Sequence, residues 1–291
     1  MSIALRPRRS VLYMPAANTR ALEKARTLAA DALIFDLEDA VSPDAKDAAR
    51  ANACAAASSG TYGKREIVIR ANALNTPWGK DDLAAIAKSG AHAVLLPKVD
   101  GATEVTEALA ALDKAGAAQS LMLWCMIETP LAILRLEEIA AHDRVSCFVM
   151  GTNDLVKDLR AQFTPDQIAV LTSLSQTVLV ARAYGKVVLD GVYNDIQNLD
   201  GFKAQCRQGL AMGFDGKTLV HPSQIEPCNE IFAPSAQEVE RARKIIDGFE
   251  RAKTEGKGVV TVDGRMVEAL HVELAKRTLA VHAAIAELAH G

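Results

Sequence analysis

No apolar run in this chain approaches the ~20 residues that a membrane-spanning helix requires, so a transmembrane segment is not expected. The N-terminal stretch MSIALRPRRSVLYMPAAN carries Arg6, Arg8 and Arg9 but no apolar core behind them, and it does not read as a signal peptide. Basic excess is also missing. The net charge is −3, which argues against a nucleic-acid partner, since such a partner calls for a strongly basic face. The five cysteines (Cys54, Cys125, Cys147, Cys206 and Cys228) are odd in number, scattered and without a CxxC spacing. Neither a disulfide framework nor a zinc site is expected, and a reducing cytoplasm is the simplest home. No GxGxxG follows the first apolar run, which removes the dinucleotide-binding signature of a doubly wound sheet. Low-complexity segments and Pro/Gly-rich linkers are absent as well.

What is present is ordinary for a globular protein: 291 residues, 49% hydrophobic and 24% charged. Short apolar runs alternate with longer amphipathic stretches. The runs are SVLYMPA (10–16), DALIFDLED (31–39), EIVIRAN (66–72), AHAVLLPKV (91–99), SLMLWCMIE (120–128), VSCFVMGTND (145–154), KVVLDGVY (186–193) and FDGKTLVHP (214–222). They are continuous rather than alternating in polarity, which suits parallel strands covered on both faces by crossover helices. Helical stretches such as NTRALEKARTLAA, DDLAAIAKSG and TPLAILRLEEIAAHD lie between them, with Asn18 and Asp81 as candidate N-caps and Gly90 and Gly185 as stops. Eight strand–helix units predict an α/β fold, a (β/α)8 TIM barrel over residues 1–233. The remainder, 234–291, falls outside the eight-unit pattern. Val239, Ala242, Ile245, Ile246 and Phe249 form an apolar stripe, KGVVTVDGRMVEA reads as a hairpin turning at Asp263-Gly264, and a last helix runs from about Leu270 to His290. This C-terminal hairpin-plus-helix extension is expected to act as a lid or subunit contact.

In such a barrel the reacting groups sit at the C-terminal ends of the strands. The residues closing the apolar runs are Asp36, Glu38 and Asp39, then Arg70 and Asn72, Lys98, Glu128, and Asn153 with Asp154. Glu128 and Asp154, on neighbouring strands, can share one divalent cation. Mg²⁺ fits such a pair, because it takes one or two carboxylates and keeps waters and substrate oxygens. Asp36 and Glu38 are two apart and point the same way on a strand, placed to hold metal-bound waters. The competing reading makes these acids helix caps. Arg70 offers a permanent fork for a carboxylate or enolate oxygen; the alternative is a barrel-mouth salt bridge with Asp36 or Glu38. Lys98 supplies a second cation, and a Schiff-base role for it ranks low beside paired acids. Gly151 and Thr152, in GTND, present backbone N–H groups to a substrate carboxylate. His221-Pro222-Ser223 reads equally as a substrate loop or as structure. His92, Trp124 and Met126 read as packing.

These motifs recur together in a known family. RSVLYMPAANTRALEKA, ALIFDLEDAVSPDAKDAAR, VIRANALNTPWGKDDL, LLPKV, MIETPLAIL, GTNDL, DGKTLVHPSQI and DGRMVEA occur in this order. The chain resembles the citrate lyase β-subunit (CitE-like) branch of the HpcH/HpaI aldolase family, which includes malyl-CoA and citramalyl-CoA lyases. The resemblance runs from Arg9 to about Arg277. It implies a Mg²⁺-dependent lyase that cleaves or forms the C–C bond of a 3-hydroxyacyl-CoA thioester, giving a 2-oxo acid and an acyl-CoA. It implies Glu128 and Asp154 as metal ligands, Arg70 on substrate oxygens, and Asp36 and Glu38 behind the metal waters. Tyr13, Arg20 and Lys24 become contacts for the coenzyme A arm, and a homo-oligomer, trimer or hexamer, becomes the expected assembly. Where relatives read DGKMVD, with the final Asp reaching the site, this chain has Glu268. That change keeps Glu268 as the general acid or base, or weakens the retro-aldol step in favour of thioester hydrolysis. A third possibility is the β-subunit of a citrate lyase complex acting on an acyl-carrier-bound substrate.

Overall fold

The computed structural model describes residues 6–254 and 259–289; Lys257 and Gly258 of the expected hairpin and His290 of the expected helix lie outside them. Arg8–Phe232 forms one compact unit, while Arg6 and Pro7 group with the chain from Ala233 onward in a second. Among the described residues no helix is long and apolar enough to cross a membrane.

The first unit is a (β/α)8 barrel. Its strands are β1 (Ser10–Pro15), β2 (Ala32–Asp36), β3 (Glu66–Arg70), β4 (Ala93–Leu96), β5 (Met122–Ile127), β6 (Val145–Met150), β7 (Val187–Asp190) and β8 (Gly216–Leu219). Each pairs in parallel with the next, and β8 returns to β1 with Ser10 opposite Lys217 and Leu12 opposite Leu219. Side chains on a strand alternate between its two faces, and the core divides accordingly. Val11, Ile34, Val68, Leu95, Trp124, Met126 and Val149 fill the barrel interior. Their neighbours Leu12, Leu33, Phe35, Ile69, Val94, Cys125 and Phe148 pack outward under the helices. Both faces are apolar, so the sequence shows unbroken runs.

The strands are shorter than the apolar runs. β5 stops at Ile127, β6 at Met150 and β7 at Asp190, so most polar residues expected at strand tips stand just beyond the last rung, in the loops that form the barrel mouth. Asp36 and Arg70, by contrast, are still in register with one another at the ends of β2 and β3. Asn18 caps its helix, Thr19–Ala25, by accepting from the Ala21 N–H. Asp81 does not cap; the helix there begins at Gly79, and Asp81 lies in its first turn. The helix expected over TPLAILRLEEIAAHD is interrupted at Arg135, giving Pro130–Leu134 and Leu136–Ala140. Gly90 and Gly185 both adopt positive φ, at 74° and 66°, and turn the chain toward β4 and β7.

The second unit contains the helix Ala236–Thr254, an antiparallel hairpin of β9 (Val260–Val262) and β10 (Arg265–Val267), and the helix Ala269–Ala289. Asp263 and Gly264 have φ of 48° and 75°, the left-handed pair that a two-residue hairpin turn requires. Ala242 and Ile245 bury against Val267, Val272 and Ala275, which makes use of the apolar stripe seen in the sequence.

Candidate active site

At the barrel mouth lies a cavity of about 380 Å³ whose walls include Tyr13, Asp36, Arg70, Glu128, Gly151, Thr152 and Asp154. A second cavity of about 460 Å³ shares Thr152, Asn153 and Asn194 with it. The larger one is lined by amides, hydroxyls and apolar groups with Asp195 as its one acid, whereas the smaller gathers Asp36, Asp39, Glu128 and Asp154 around Arg70.

Glu128 follows directly on β5 and is almost fully buried, at 2% exposure. Its Oε1 accepts from the backbone N–H of Lys98 at 2.8 Å. Lys98 is one of the few non-glycine residues with positive φ, 53°, and this conformation carries the N–H that Glu128 receives. The Lys98 ammonium lies 2.6 Å from Asp154 Oδ2 and 3.5 Å from Glu128 Oε1. One cation therefore reaches both carboxylates. Burial pushes the Glu128 carboxyl up, with Lys98 opposing. Burial also pushes Asp154 up, but the Lys98 hydrogen bond and charge outweigh it and leave Asp154 lowered. Among the described residues no group of three or more His, Cys, Asp or Glu side chains gathers as a metal site. Two acids that already share a cation, with open cavity beside them, nevertheless fit a hard divalent ion that keeps its remaining coordination for water and substrate oxygen.

Gly151 has a role the sequence did not disclose. A Cβ at this position would stand 2.3 Å from Glu128 Cβ and 2.7 Å from its Oε2. The glycine of GTND makes the space in which Glu128 sits. Thr152 and Asp154 follow in the first turn of the helix Thr152–Asp158.

Arg70 adopts the salt bridge weighed as the alternative to substrate contact. Its Nε and Nη2 donate to Asp36 Oδ1 and Oδ2, both at 2.6 Å, and its Nη1 lies 2.6 Å from Glu38 Oε2. Asp36 also accepts from the N–H groups of Glu38 and Ala40. Each of its oxygens is thus doubly engaged, and Asp36 orients Arg70 and the following loop. Glu38 is half-buried. Burial, helped by Asp39, Glu128 and Asp36, pushes its carboxyl up to about 7 despite Arg70. Tyr13 lies under Arg70, with the guanidinium carbon 5.0 Å from the ring centroid. The Tyr13 ring thus packs against the cation of the site while lining the cavity.

Other expectations land elsewhere. Arg20 and Lys24 are exposed, one turn apart on Thr19–Ala25, and do not line the cavity. His221 caps the turn Pro222–Gln224 by accepting from the Ser223 N–H, which is the structural reading. His92 Nδ1 accepts from the Ile67 N–H. Glu268 belongs to the second unit; it is exposed ahead of Ala269–Ala289 and donates its N–H to His271 Nδ1. The sequence reading missed Lys46, at the start of the helix Lys46–Ser58, and Asp82, in the first turn of Gly79–Ile86, where nothing marks a buried charge.

Residues 9–222 match the HpcH/HpaI aldolase/citrate lyase family. The chain belongs to that family. Within the HpcH/HpaI family it is similar to a (3S)-malyl-CoA thioesterase of Cereibacter sphaeroides (strain ATCC 17025 / ATH 2.4.3), 50% identical over 280 residues and 96% of each chain. It is 36% identical to the citrate lyase subunit beta of Escherichia coli K12, over 94% of this chain and 93% of that one. Among solved structures it resembles CitE from Mycobacterium tuberculosis in complex with magnesium, acetoacetate and coenzyme A. That likeness has a TM-score of 0.78 at 27% identity and covers 97% of this chain and 100% of the other. The HpcH/HpaI family is thus an enzymatic one, with members named for coenzyme A thioesters and for citrate lyase.

Proposed function

We propose that this HpcH/HpaI family member takes a malyl-type 3-hydroxyacyl-CoA thioester at the acid-lined cavity and hydrolyses it. The reading rests on one observation: Glu128 and Asp154 lie within reach of a single cation beside the clamped Arg70. The 50% identity to a (3S)-malyl-CoA thioesterase favours hydrolysis over the other fates of such a substrate.

Glu128 and Asp154 would hold Mg²⁺, which when bound supplies a Lewis acid and a template for the substrate's hydroxyl and carboxylate oxygens. Arg70 remains charged: burial works against its charge, but Asp36 overrides this and raises its pKa further. Its guanidinium faces the oxygen on which negative charge develops. Glu38, titrating at about 7, accepts a proton from water near neutral pH. The water oxygen bonds to the thioester carbonyl carbon, the C–S bond breaks, and the departing thiolate takes back the proton that Glu38 received, which returns Glu38 to its carboxylate form. Arg20 and Lys24, exposed and one turn apart, are proposed for the phosphates of coenzyme A, and a trimer or hexamer remains the expected assembly.

A second reading, C–C cleavage, is favoured by the likeness to citrate lyase β-subunits. In that reaction a base removes the substrate hydroxyl proton, the bond between the two carbons breaks, and Glu268 protonates the thioester enolate. Purified protein with Mg²⁺ and a panel of malyl-, citramalyl- and citryl-CoA separates the two by mass. Hydrolysis gives free malate and coenzyme A; cleavage of malyl-CoA gives glyoxylate and acetyl-CoA. Acetyl-CoA as the sole thioester product overturns the first reading.

A further inference from the structure

We infer that Lys46 is a positioning residue for the acid loop of the site: it fixes the backbone of Leu37 and Glu38 so that the Glu38 carboxylate meets Arg70. The inference rests on the proposed use of Arg70 and Glu38. Lys46 opens the helix Lys46–Ser58, directly after the turn Pro43–Ala45, and is only 6% exposed. Its ammonium donates to the Leu37 carbonyl at 2.7 Å, the Glu38 carbonyl at 2.8 Å and Asn72 Oδ1 at 2.7 Å. All three of its protons are used, and none of the three acceptors is a carboxylate. A buried lysine normally pairs with an acid; this one binds two consecutive peptide carbonyls at the point where β2 becomes a loop.

The anchor behind it is rigid. Asn72 is 2% exposed, and its backbone N–H and Nδ2 both donate to Asp82 Oδ2, at 2.9 and 2.6 Å. Asp82, fully buried, receives Arg50 Nε on its other oxygen at 2.6 Å. The chain from Arg50 through Asp82, Asn72 and Lys46 ends on the residue pair 37–38. On the opposite side, the Glu38 N–H is held by Asp36. Glu38 is therefore gripped at its N–H by Arg70's own partner and at its carbonyl by Lys46. Only its side chain is left to choose a position, and that side chain lies 2.6 Å from Arg70 Nη1. Remove the ammonium, and the Leu37 carbonyl and the Asn72 amide oxygen lose this donor, while the Glu38 carbonyl keeps only the Val41 N–H, so the loop is no longer tied to Asn72 and the helix behind it.

The test pairs a local measurement with kinetics in Lys46→Gln, with Lys46→Arg as the conservative rescue. Hydrogen exchange by mass spectrometry should rise about tenfold or more in amides 37–41, while peptides from β5 and β6 exchange as in the wild type. With malyl-CoA, kcat should fall on the order of 100-fold with KM within about threefold, because a displacement of ~1 Å at a reacting group has that cost. Lys46→Arg should recover most of both. Asn72→Ala, which removes the third acceptor, should loosen the same amides to a smaller degree. Faster exchange spread over the whole barrel, or unchanged exchange in 37–41 in the folded variants, overturns the inference. Local loosening in a protein inactive on every thioester supports the positioning role and overturns the proposed function instead.

Discussion

Arg70 and Asp36 lie side by side, two parallel hydrogen bonds of 2.6 Å joining the guanidinium edge to both carboxylate oxygens. They are opposite one another in the register of β3 and β2, so strand pairing alone places the two side chains on the same inner face. The pair is nearly dry, with side-chain exposures of 8% and 2%. It fixes the orientation of the remaining nitrogen, Nη1, which is the one that faces Glu38.

Removing one member of this pair strands the other as a buried charge. Arg70→Met is expected to lower stability by about 3–5 kcal/mol, read from urea unfolding. Arg70→Lys keeps the charge but cannot reproduce a two-pronged contact. It should retain more stability than Arg70→Met while losing about 100-fold in kcat. A lysine variant with wild-type turnover would remove the guanidinium geometry from the proposed chemistry.

Gly151→Ala is the smallest change expected to disable the acid pair. The added methyl would fall 2.3 Å from Glu128 Cβ, closer than Cβ atoms can approach, so the side chain has to shift. Glu128 must then turn away from Lys98 and Asp154. Titration calorimetry with Mg²⁺ should show weaker binding by tenfold or more in the alanine variant. Circular dichroism should still report a folded barrel. Wild-type Mg²⁺ affinity would show that Glu128 is not a ligand or that the loop yields.

The pH profile of the proposed activity is expected to carry a signature of Glu38. Burial holds its carboxyl up to about 7, and only the ionised form accepts a proton. Activity should therefore rise as pH passes upward through about 7. In Glu38→Gln the limb should vanish along with most of the rate. A limb that persists in the glutamine variant belongs to another group.

The barrel was legible because its strands are buried on both faces, so the apolar runs stood out at eight places. The acids and Arg70 were legible because each follows such a run. Their partnerships were not. Whether Arg70 meets substrate or Asp36 depends on lateral register between strands over thirty residues apart, which no local pattern encodes. Tyr13 does line the mouth cavity, but that its ring also packs against the Arg70 guanidinium follows from inward alternation from Val11 and the position of β3, which no local pattern shows. Lys46 escaped notice because the sequence cannot distinguish a helix-start lysine reaching back to loop carbonyls from one in solvent. The interruption at Arg135 was equally hidden, since Leu131, Leu134 and Ile139 keep a helical period across it.

Glu268 is the residue we propose to decide between the two reactions. The resemblance implies an aspartate at this position as the group that protonates or deprotonates the thioester carbon in cleavage and condensation. Glutamate carries its carboxyl about one bond length farther, and general acid–base transfer is steeply sensitive to such a shift. Hydrolysis does not need a proton at carbon. Glu268→Asp is therefore expected to raise the fraction of malyl-CoA converted to glyoxylate and acetyl-CoA. Glu268→Gln should abolish any residual cleavage and leave malate release within about threefold. The product ratio by mass spectrometry reads both variants in one assay. An aspartate variant with an unchanged ratio would remove residue 268 from the choice between the reactions, and a glutamine variant that loses hydrolysis as fully as cleavage would assign Glu268 to a step the two share.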